Sequence, residues 1–365
     1  MMIKSRLLLT VCILFTTAGL FYAQTSAPKY SNEFLNVGVG ARALGMSNCQ
    51  VASVNDVTSG YWNPAGLNGI TTPFSVGLMH SEYFAGIAKY DYVGFAKRID
   101  TASVFGISMV RFGVDNIPNT TELIDANGNV DYNNITTFSA ADYAFLLSYA
   151  RLSQVPHLRY GGTVKIIRRV VGDFAGAWGF GFDLGAQYDL KKWKFGAVLR
   201  DATSTFNAWS FNLSDQMKQT FLATNNALPT NSLEVTLPRM LLGASRKFDV
   251  MNGMFTIAPE IALDATFDGR RNVLIATSVA SIDPHFGFEA GYKNMIFLRG
   301  GIGNFQTEKD ISGIQFVSFM PNLGVGIRLK SFTLDYALTD IGDRSVALYS
   351  NVFSLKIDIN HKNEK

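Results

Sequence analysis

Between Trp178 and Leu190 the chain alternates without error. Trp178, Phe180, Phe182, Leu184, Ala186, Tyr188 and Leu190 are interleaved with Gly179, Gly181, Asp183, Gly185, Gln187 and Asp189. Successive side chains of a strand point to opposite faces, so this run predicts a strand with one aromatic-aliphatic face and one glycine-and-polar face. The pattern recurs along the chain. Tyr143, Phe145, Leu147 and Tyr149 oppose Asp142, Ala144 and Ser148, while Trp193, Phe195, Ala197 and Leu199 oppose Lys194, Gly196 and Arg200. Phe286, Phe288, Ala290 and Tyr292 oppose His285, Gly287, Glu289 and Lys293, and Leu323, Val325, Ile327 and Leu329 oppose Asn322, Gly324, Gly326 and Arg328. Phe332, Leu334, Tyr336 and Leu338 oppose Thr333, Asp335 and Thr339; Phe353, Leu355, Ile357 and Ile359 oppose Ser354, Lys356 and Asp358. The runs near 88–98 and 101–113 are less regular, and Pro238 and Pro259 weaken their strands locally.

Counted from Phe74, the pattern predicts about fourteen strands, an even number of the kind bacterial membrane barrels use. The joints alternate in length. Tight ones fall at Ile99–Thr101, Leu152–Pro156, Lys191–Lys192, Asp249–Asn252, Lys293–Met295 and Lys330–Ser331. Long ones fall at Val114–Thr137, Ala202–Thr236, Phe267–Asp283 and Phe305–Val317. Short periplasmic turns and long external loops are the signature of a transmembrane β-barrel inserted from the periplasm, which puts both chain ends on the periplasmic side. Alternation alone does not say which way the apolar face points, so a soluble sandwich or a lipocalin-like barrel shares the period. Neither has a reason to keep all its long loops at one end. The expected fold is an all-β transmembrane antiparallel barrel with lipid outside and a polar lumen.

Composition sharpens this picture. Only 17% of the 365 residues are charged, against about 25% in soluble proteins, and 33 glycines suit strands packed around a crowded lumen. No Pro/Ser/Gly-rich linker or charge block divides the chain into two domains. Lys4 and Arg6 followed by apolar Leu7 to Phe15 predict a secretory signal over residues 1–23, with cleavage at Ala23-Gln24, although Phe21 is large for its place before the cut. No later run of about 18 apolar residues predicts a transmembrane helix. The formal charge of +3 falls to +1 without Lys4 and Arg6, which is not the footprint of a nucleic-acid binder. Cys12 lies in the signal and leaves Cys49 alone, so no internal disulfide and no CxxC metal motif is expected.

Residues 31–72 break the alternation. They contain Phe34-Leu-Asn-Val-Gly-Val-Gly-Ala-Arg-Ala-Leu-Gly-Met46 and Tyr61-Trp-Asn-Pro-Ala-Gly-Leu67. Asn63 before Pro64 suits an N-cap and first helical position, Gly66 ends so short a turn, and the small residues at Gly38, Gly40, Ala41, Ala43 and Gly45 permit close packing. The segment reads as a compact plug of short helices in the barrel mouth, with Gly40, Arg42, Gly45, Trp62, Asn63, Pro64 and Gly66 as its motif.

These residues carry a resemblance. GARALGM at 40–46 and YWNPAGL at 61–67, with Phe286-Gly-Phe-Glu289 and Leu298-Arg-Gly-Gly301, resemble the PorV/PorQ family of Bacteroidota outer-membrane proteins, relatives of the FadL-type barrels. The resemblance implies a FadL-like fourteen-stranded wall with an N-terminal hatch. It divides the chain into signal (1–23), plug (24–72), barrel (73–360) and a short tail (361–365). It also implies an integral outer-membrane component of type IX secretion that binds cargo C-terminal signal domains and passes them from the translocon to the attachment complex. The alternative it leaves open is a FadL-like channel for hydrophobic small molecules, with an apolar pocket beneath the external loops and a kink or gap in the wall.

Other candidates have plainer readings. Gly38-Val-Gly40-Ala-Arg-Ala43 is a loose dinucleotide fingerprint without the βαβ unit that site requires, so it reads as plug packing and no cofactor is expected. Asp125-Ala-Asn127-Gly-Asn129-Val-Asp131 spaces oxygen ligands as calcium loops do, yet Thr136 and Val130 occupy the places of the required Glu and Gly. It reads as an Asn-Gly hairpin, and no metal is expected. Past the signal, the only histidines are His80, His157, His285 and His361, none of them beside a nucleophile motif, so the expectation is a non-enzyme with no catalytic residues. Glu289 and Arg299 lie equidistant from the turn at Asn294, which predicts a lumenal cross-strand ion pair. Lys165, Arg169, Asp183, Lys194, Arg200, Arg328, Asp335 and Lys356 share the lumenal parity and predict a charged network around the plug. In the long joint 202–236, Phe206, Trp209, Phe211 and Phe221 form a candidate partner-binding loop, with a helix starting near Ser214-Asp215.

Overall fold

The computed structural model describes residues 31–123, 129–309, 312–341 and 349–360. The signal segment, Cys12, His361, the C-terminal tail and most of the Asp125–Asp131 motif lie outside the described residues. The strands form one antiparallel sheet that closes into a barrel of 14, because the first and last members pair from Phe74 opposite Ile359 to Glu82 opposite Asn351. In chain order they are β1 (Phe74–Tyr83), β2 (Ala88–Arg98), β3 (Ser103–Asn119), β4 (Thr136–Leu152), β5 (Leu158–Val171) and β6 (Ala175–Leu190). Two interrupted strands follow: β7 (Trp193–Arg200, then Thr205–Phe211) and β8 (Ser232–Thr236, Arg239–Arg246 and Phe248–Val250). The wall is completed by β9 (Phe255–Thr266), β10 (Ser281–Tyr292), β11 (Ile296–Lys309), β12 (Gln315–Leu329), β13 (Phe332–Thr339) and β14 (Ser350–Ile359).

The apolar faces point outward. Trp178, Leu298 and Phe353 are 58%, 58% and 54% exposed, and Phe180, Leu184, Phe286, Leu323 and Leu334 are exposed with them. A soluble sandwich buries such residues; a continuous apolar belt of this extent is stable only against lipid. The opposite parity looks into the lumen, where Ser75, Ser148, Thr163, Gln187 and Glu260 are buried and where Tyr90, Leu146 and Ile167 join an apolar cluster with the plug. No helix among the described residues is long and apolar enough to cross a membrane.

Tight turns close one rim, with left-handed backbone at Lys191, Lys293, Asn294 and Lys330. The described chain enters β1 and leaves β14 at this rim. The other rim carries the longer connections, which are shorter than the alternation predicts because β3 runs on to Asn119 and β11 to Lys309.

The largest difference lies in 202–236. Thr205–Phe211 pairs with β6 and Ser232–Thr236 pairs with Thr205–Trp209, so both flanks of that joint are wall and only the middle is loop. The reason the pattern hides this is a shared break, Asp201–Ser204 opposite Leu237–Pro238. Pro238 has no N–H for the ladder, and Asp201 and Ser204 adopt left-handed backbone (φ 55° and 57°). The Asp201 N–H donates instead to the Asp183 carboxylate at 2.7 Å.

Candidate functional site: the plugged lumen

Residues 31–72 fill the lumen with four short helical segments, Glu33–Asn36, α1 (Ala41–Leu44), α2 (Ser59–Trp62) and Pro64–Gly69, and they sit between two recesses, deeper than the barrel mouth. None of these segments is stable in isolation, since helix nucleation costs more than so short a run returns. Contacts with the wall hold them. Asn63 caps the last turn by accepting from the Ala65 N–H at 3.2 Å, with Pro64 at the first helical position. Its amide also donates to the carbonyls of Val51 (2.9 Å) and Ala186 (3.0 Å), tying plug to wall. The Trp62 indole donates to the Val39 carbonyl at 2.8 Å. The hydroxyls of Tyr90 and Tyr92 donate from β2 to the carbonyls of Phe34 (3.0 Å) and Val57 (2.9 Å).

The wall receives the plug through its inward glycines. A Cβ on Gly196 would lie 2.2 Å from the Val51 carbonyl oxygen, and one on Gly301 2.4 Å from the Met46 carbonyl carbon. Gly45 packs on Gly324 across the same gap, and Gly66 packs on Val54 within the plug. Gly40 (φ 89°) precedes α1, where its N–H donates to Met79 Sδ and that of Ala41 donates to Ser354 Oγ at 2.8 Å. Those two donors of the loose nucleotide-like motif are therefore spent on the wall.

Charge completes the seal. Glu289 and Arg299 stand opposite each other in the β10–β11 register, and the carboxylate accepts from Arg299 Nε at 2.7 Å. Arg42 of the plug donates to the same carboxylate at 2.8 and 3.1 Å, and Arg299 also reaches Asp335 at 2.7 Å. Alternation identifies the Glu289–Arg299 partners; Arg42 as the third member needed the three-dimensional path of the plug. Asp56 faces opposing influences: burial raises its pKa, but Lys356, the Thr58 hydroxyl and Arg42 outweigh burial and hold the carboxyl below its usual range.

The remaining lumenal candidates, Arg169 apart, divide between the two recesses. The lower one faces the short turns and gathers Arg42, Lys194, Glu289, Arg299, Arg328 and Lys356. The upper one lies beside the strand break and is lined by Tyr61, Lys165, Arg200, Asp201, Arg239 and Arg271, with Leu35, Leu237 and Phe267 as apolar wall. Lys165 pairs with Asp183 at 2.7 Å and with Asp201, while Arg200 donates to the Tyr61 carbonyl at 2.8 Å. Arg169 pairs with Asp142 (2.8 Å) and Glu234 (3.1 Å). Asp201, Glu234 and Glu260 are additions to the predicted set, the first two hidden because they flank the break. Glu260, fully buried, accepts from the Ala52 N–H at 2.9 Å; its lumenal parity was the available signal.

The candidate partner loop is not one patch. Phe206 is exposed on the outer wall of β7, whereas Trp209 donates to Glu234 at 3.1 Å and stacks with Phe211 at the rim. Phe221 lies on α3 (Asp215–Ala223), where Ser214 caps the helix by accepting from the Met217 N–H at 3.1 Å. Thr220 of α3 donates to the Thr121 carbonyl in the neighbouring loop, and Leu222 remains exposed. Of the histidines, His80 is on the outer wall, His157 at a tight turn and His285 in the lumen, far apart in the fold.

The family described as type IX secretion system protein PorV matches residues 24–237, the plug together with the first half of the barrel. The chain belongs to the PorV family. Family and fold together make it an outer-membrane component of type IX secretion. No curated protein matches the sequence. Among solved structures, the CymD monoaromatic hydrocarbon channel is similar at a TM-score of 0.54 and 12% identity, covering 89% of this chain and 98% of that one. The toluene transporter TodX of P. putida gives 0.53 and 12%, covering 89% and 99%. A FadL homologue of Pseudomonas aeruginosa gives 0.50 and 12%, covering 88% and 98%. At this identity the likeness is one of fold, and it spans nearly the whole barrel.

Proposed function

We propose that this PorV-family barrel is a non-enzymatic carrier in type IX secretion, holding the C-terminal signal domain of cargo at its external loops and passing it from the translocon to the attachment complex. The observation that supports this reading is a family-matched segment built as a seal. The plug is fastened to the wall by Asn63, Tyr90, Tyr92 and the Arg42–Glu289–Arg299 cluster, which suits a protein that works at its surface rather than through its pore. Both chain ends are periplasmic in this reading, and α3 with its exposed Leu222 is the element we assign to cargo.

A second reading, passage of a hydrophobic small molecule, draws support from the wall break beside the upper recess and from the hydrocarbon channels that share the fold. The charged lining of that recess counts against it, because an apolar solute gains nothing from displacing water around Arg200, Arg239 and Asp201. Binding of a purified cargo signal domain to the barrel in detergent separates the two. The carrier reading expects saturable binding that is lost when residues 213–224 are replaced by a short Gly-Ser link. Absence of binding by the intact barrel, together with uptake of an aromatic hydrocarbon into liposomes carrying it, would reverse the choice.

A further inference from the structure

The recess that faces the short turns holds more positive charge than the plug uses. Its lining carries six Lys or Arg side chains and three carboxylates, Asp56, Glu289 and Asp335. The carboxylates are already engaged. Glu289 is shared by Arg42 and Arg299, Asp335 accepts from Arg299, and Asp56 accepts from the Thr58 N–H and hydroxyl at 2.9 and 2.6 Å. Lys194, Lys247, Arg328 and Lys356 remain. Among the described residues Lys194 and Arg328 make no ion pair. Lys247 and Lys356 reach Asp249 (3.7 Å) and Asp358 (3.4 Å), carboxylates that Lys192 and Ser75 also use. Gln50, on the plug side of the recess and 1% exposed, likewise has no acceptor for its Nε2 among the described residues.

The sheet sorts these cations into two groups. Register sets Lys194 of β7 opposite Ser245 of β8, with Lys247 two residues on. On the other side it sets Arg328, Thr333 and Lys356 in one row across β12, β13 and β14. Arg328 is held ready: it donates to Asn294 Oδ1 at 3.1 Å, and its guanidinium lies 5.0 Å from the Phe297 ring centre. Lys194 and Arg328 stand five strand spacings apart, about 24 Å along the wall at about 4.8 Å each. The tight turns at 191–192, 293–295 and 330–331 add Lys191, Lys192, Lys293 and Lys330 to the mouth and no carboxylate. A cleft with an excess of one charge between low-dielectric walls focuses its field and draws in the opposite charge.

We propose that this recess binds an acidic polypeptide segment, which enters past the short turns and sets its carboxylates against Lys194 and Lys247 on one side and Arg328 and Lys356 on the other. Spacing selects this occupant. A single phosphate or carboxylate meets one group of cations, whereas an extended chain of about eight residues, at about 3.3 Å each, meets both. Lipid headgroups lie outside the wall, and the recess is inside it. The site stands apart from α3 and the long-loop rim. From the carrier reading it takes only that the short turns face the periplasm, which makes the owner of the segment a periplasmic protein.

The test titrates the full-length barrel in detergent, at physiological ionic strength, with a fluorescein-labelled peptide of alternating Glu and Gly, about eight residues long to match the span. The same peptide with Gln for Glu is the comparator, and fluorescence anisotropy is the readout. The expected result is saturable one-to-one binding of the acidic peptide alone. Lys194→Gln with Arg328→Gln should weaken it about tenfold or more, and the barrel should keep its heat-modifiable gel mobility because no ion pair is broken. Lys191→Asn with Lys330→Asn removes the same charge from exposed left-handed turn positions that Asn tolerates, where salt screens strongly, and should change binding less than about twofold. No binding, equal binding of the Gln peptide, equal weakening by the two double variants, or full displacement by millimolar inorganic phosphate would overturn the acidic-segment site. The solubilised barrel presents both rims and no cargo, so failure here leaves the carrier reading standing, and failure of cargo binding leaves this site standing.

Discussion

At the scale of single residues, the lumen is a set of shared partners, and sharing decides which substitution hurts. Arg299 is 1% exposed and bridges Glu289 and Asp335, so Arg299→Met leaves two carboxylates without it. Breaking a buried pair by removing one member costs about 3–5 kcal/mol. Arg42→Met should cost less, about 1.5–3 kcal/mol, the range for a hydrogen bond to a charged group, because Arg299 still holds Glu289. Denaturant titration followed by gel mobility measures both, and equal losses would show that the plug arginine carries the cluster. Period-two spacing made Glu289 and Arg299 legible as partners, since residues equidistant from a tight turn must meet. Arg42 was legible as part of a motif but not as their third member, because its position depends on how an irregular segment folds back.

Elements were legible wherever alternation was strict. β6, β10, β12, β13 and β14 lie where the sequence pattern puts them, with the predicted faces outward. Thr205–Phe211 was hidden because the four residues before it leave the ladder, and a strand that restarts after a break gives no run long enough to recognise. Asp201 was lost with it. The plug announced itself by lack of alternation and by its small residues, though its depth in the lumen was set by where the wall has glycine. That dependence is testable. Gly301→Leu drives a side chain into the Met46 backbone, an overpacking expected to cost about 1–3 kcal/mol or more and to loosen the plug while sparing the wall. Planar-bilayer recordings should then show channel openings that the parent protein lacks. A silent, fully folded variant would show that the plug tolerates displacement without unsealing the pore.

On the scale of the whole molecule, three surfaces have different tasks. In the proposed reading, the apolar belt holds the barrel in lipid, the filled lumen keeps the envelope closed, and the long-loop rim with α3 meets partners. A closed FadL-like barrel follows from patterning and chain closure. The carrier role draws on family membership and on a pore that is filled rather than open. The most direct measurement is a mild-detergent purification of the tagged protein from its native outer membrane, with associated proteins identified by mass spectrometry. The account predicts recovery of secreted proteins bearing type IX C-terminal signal domains together with the translocon. A clean monomer carrying only lipid or fatty acid would contradict it and favour the hydrophobic channel.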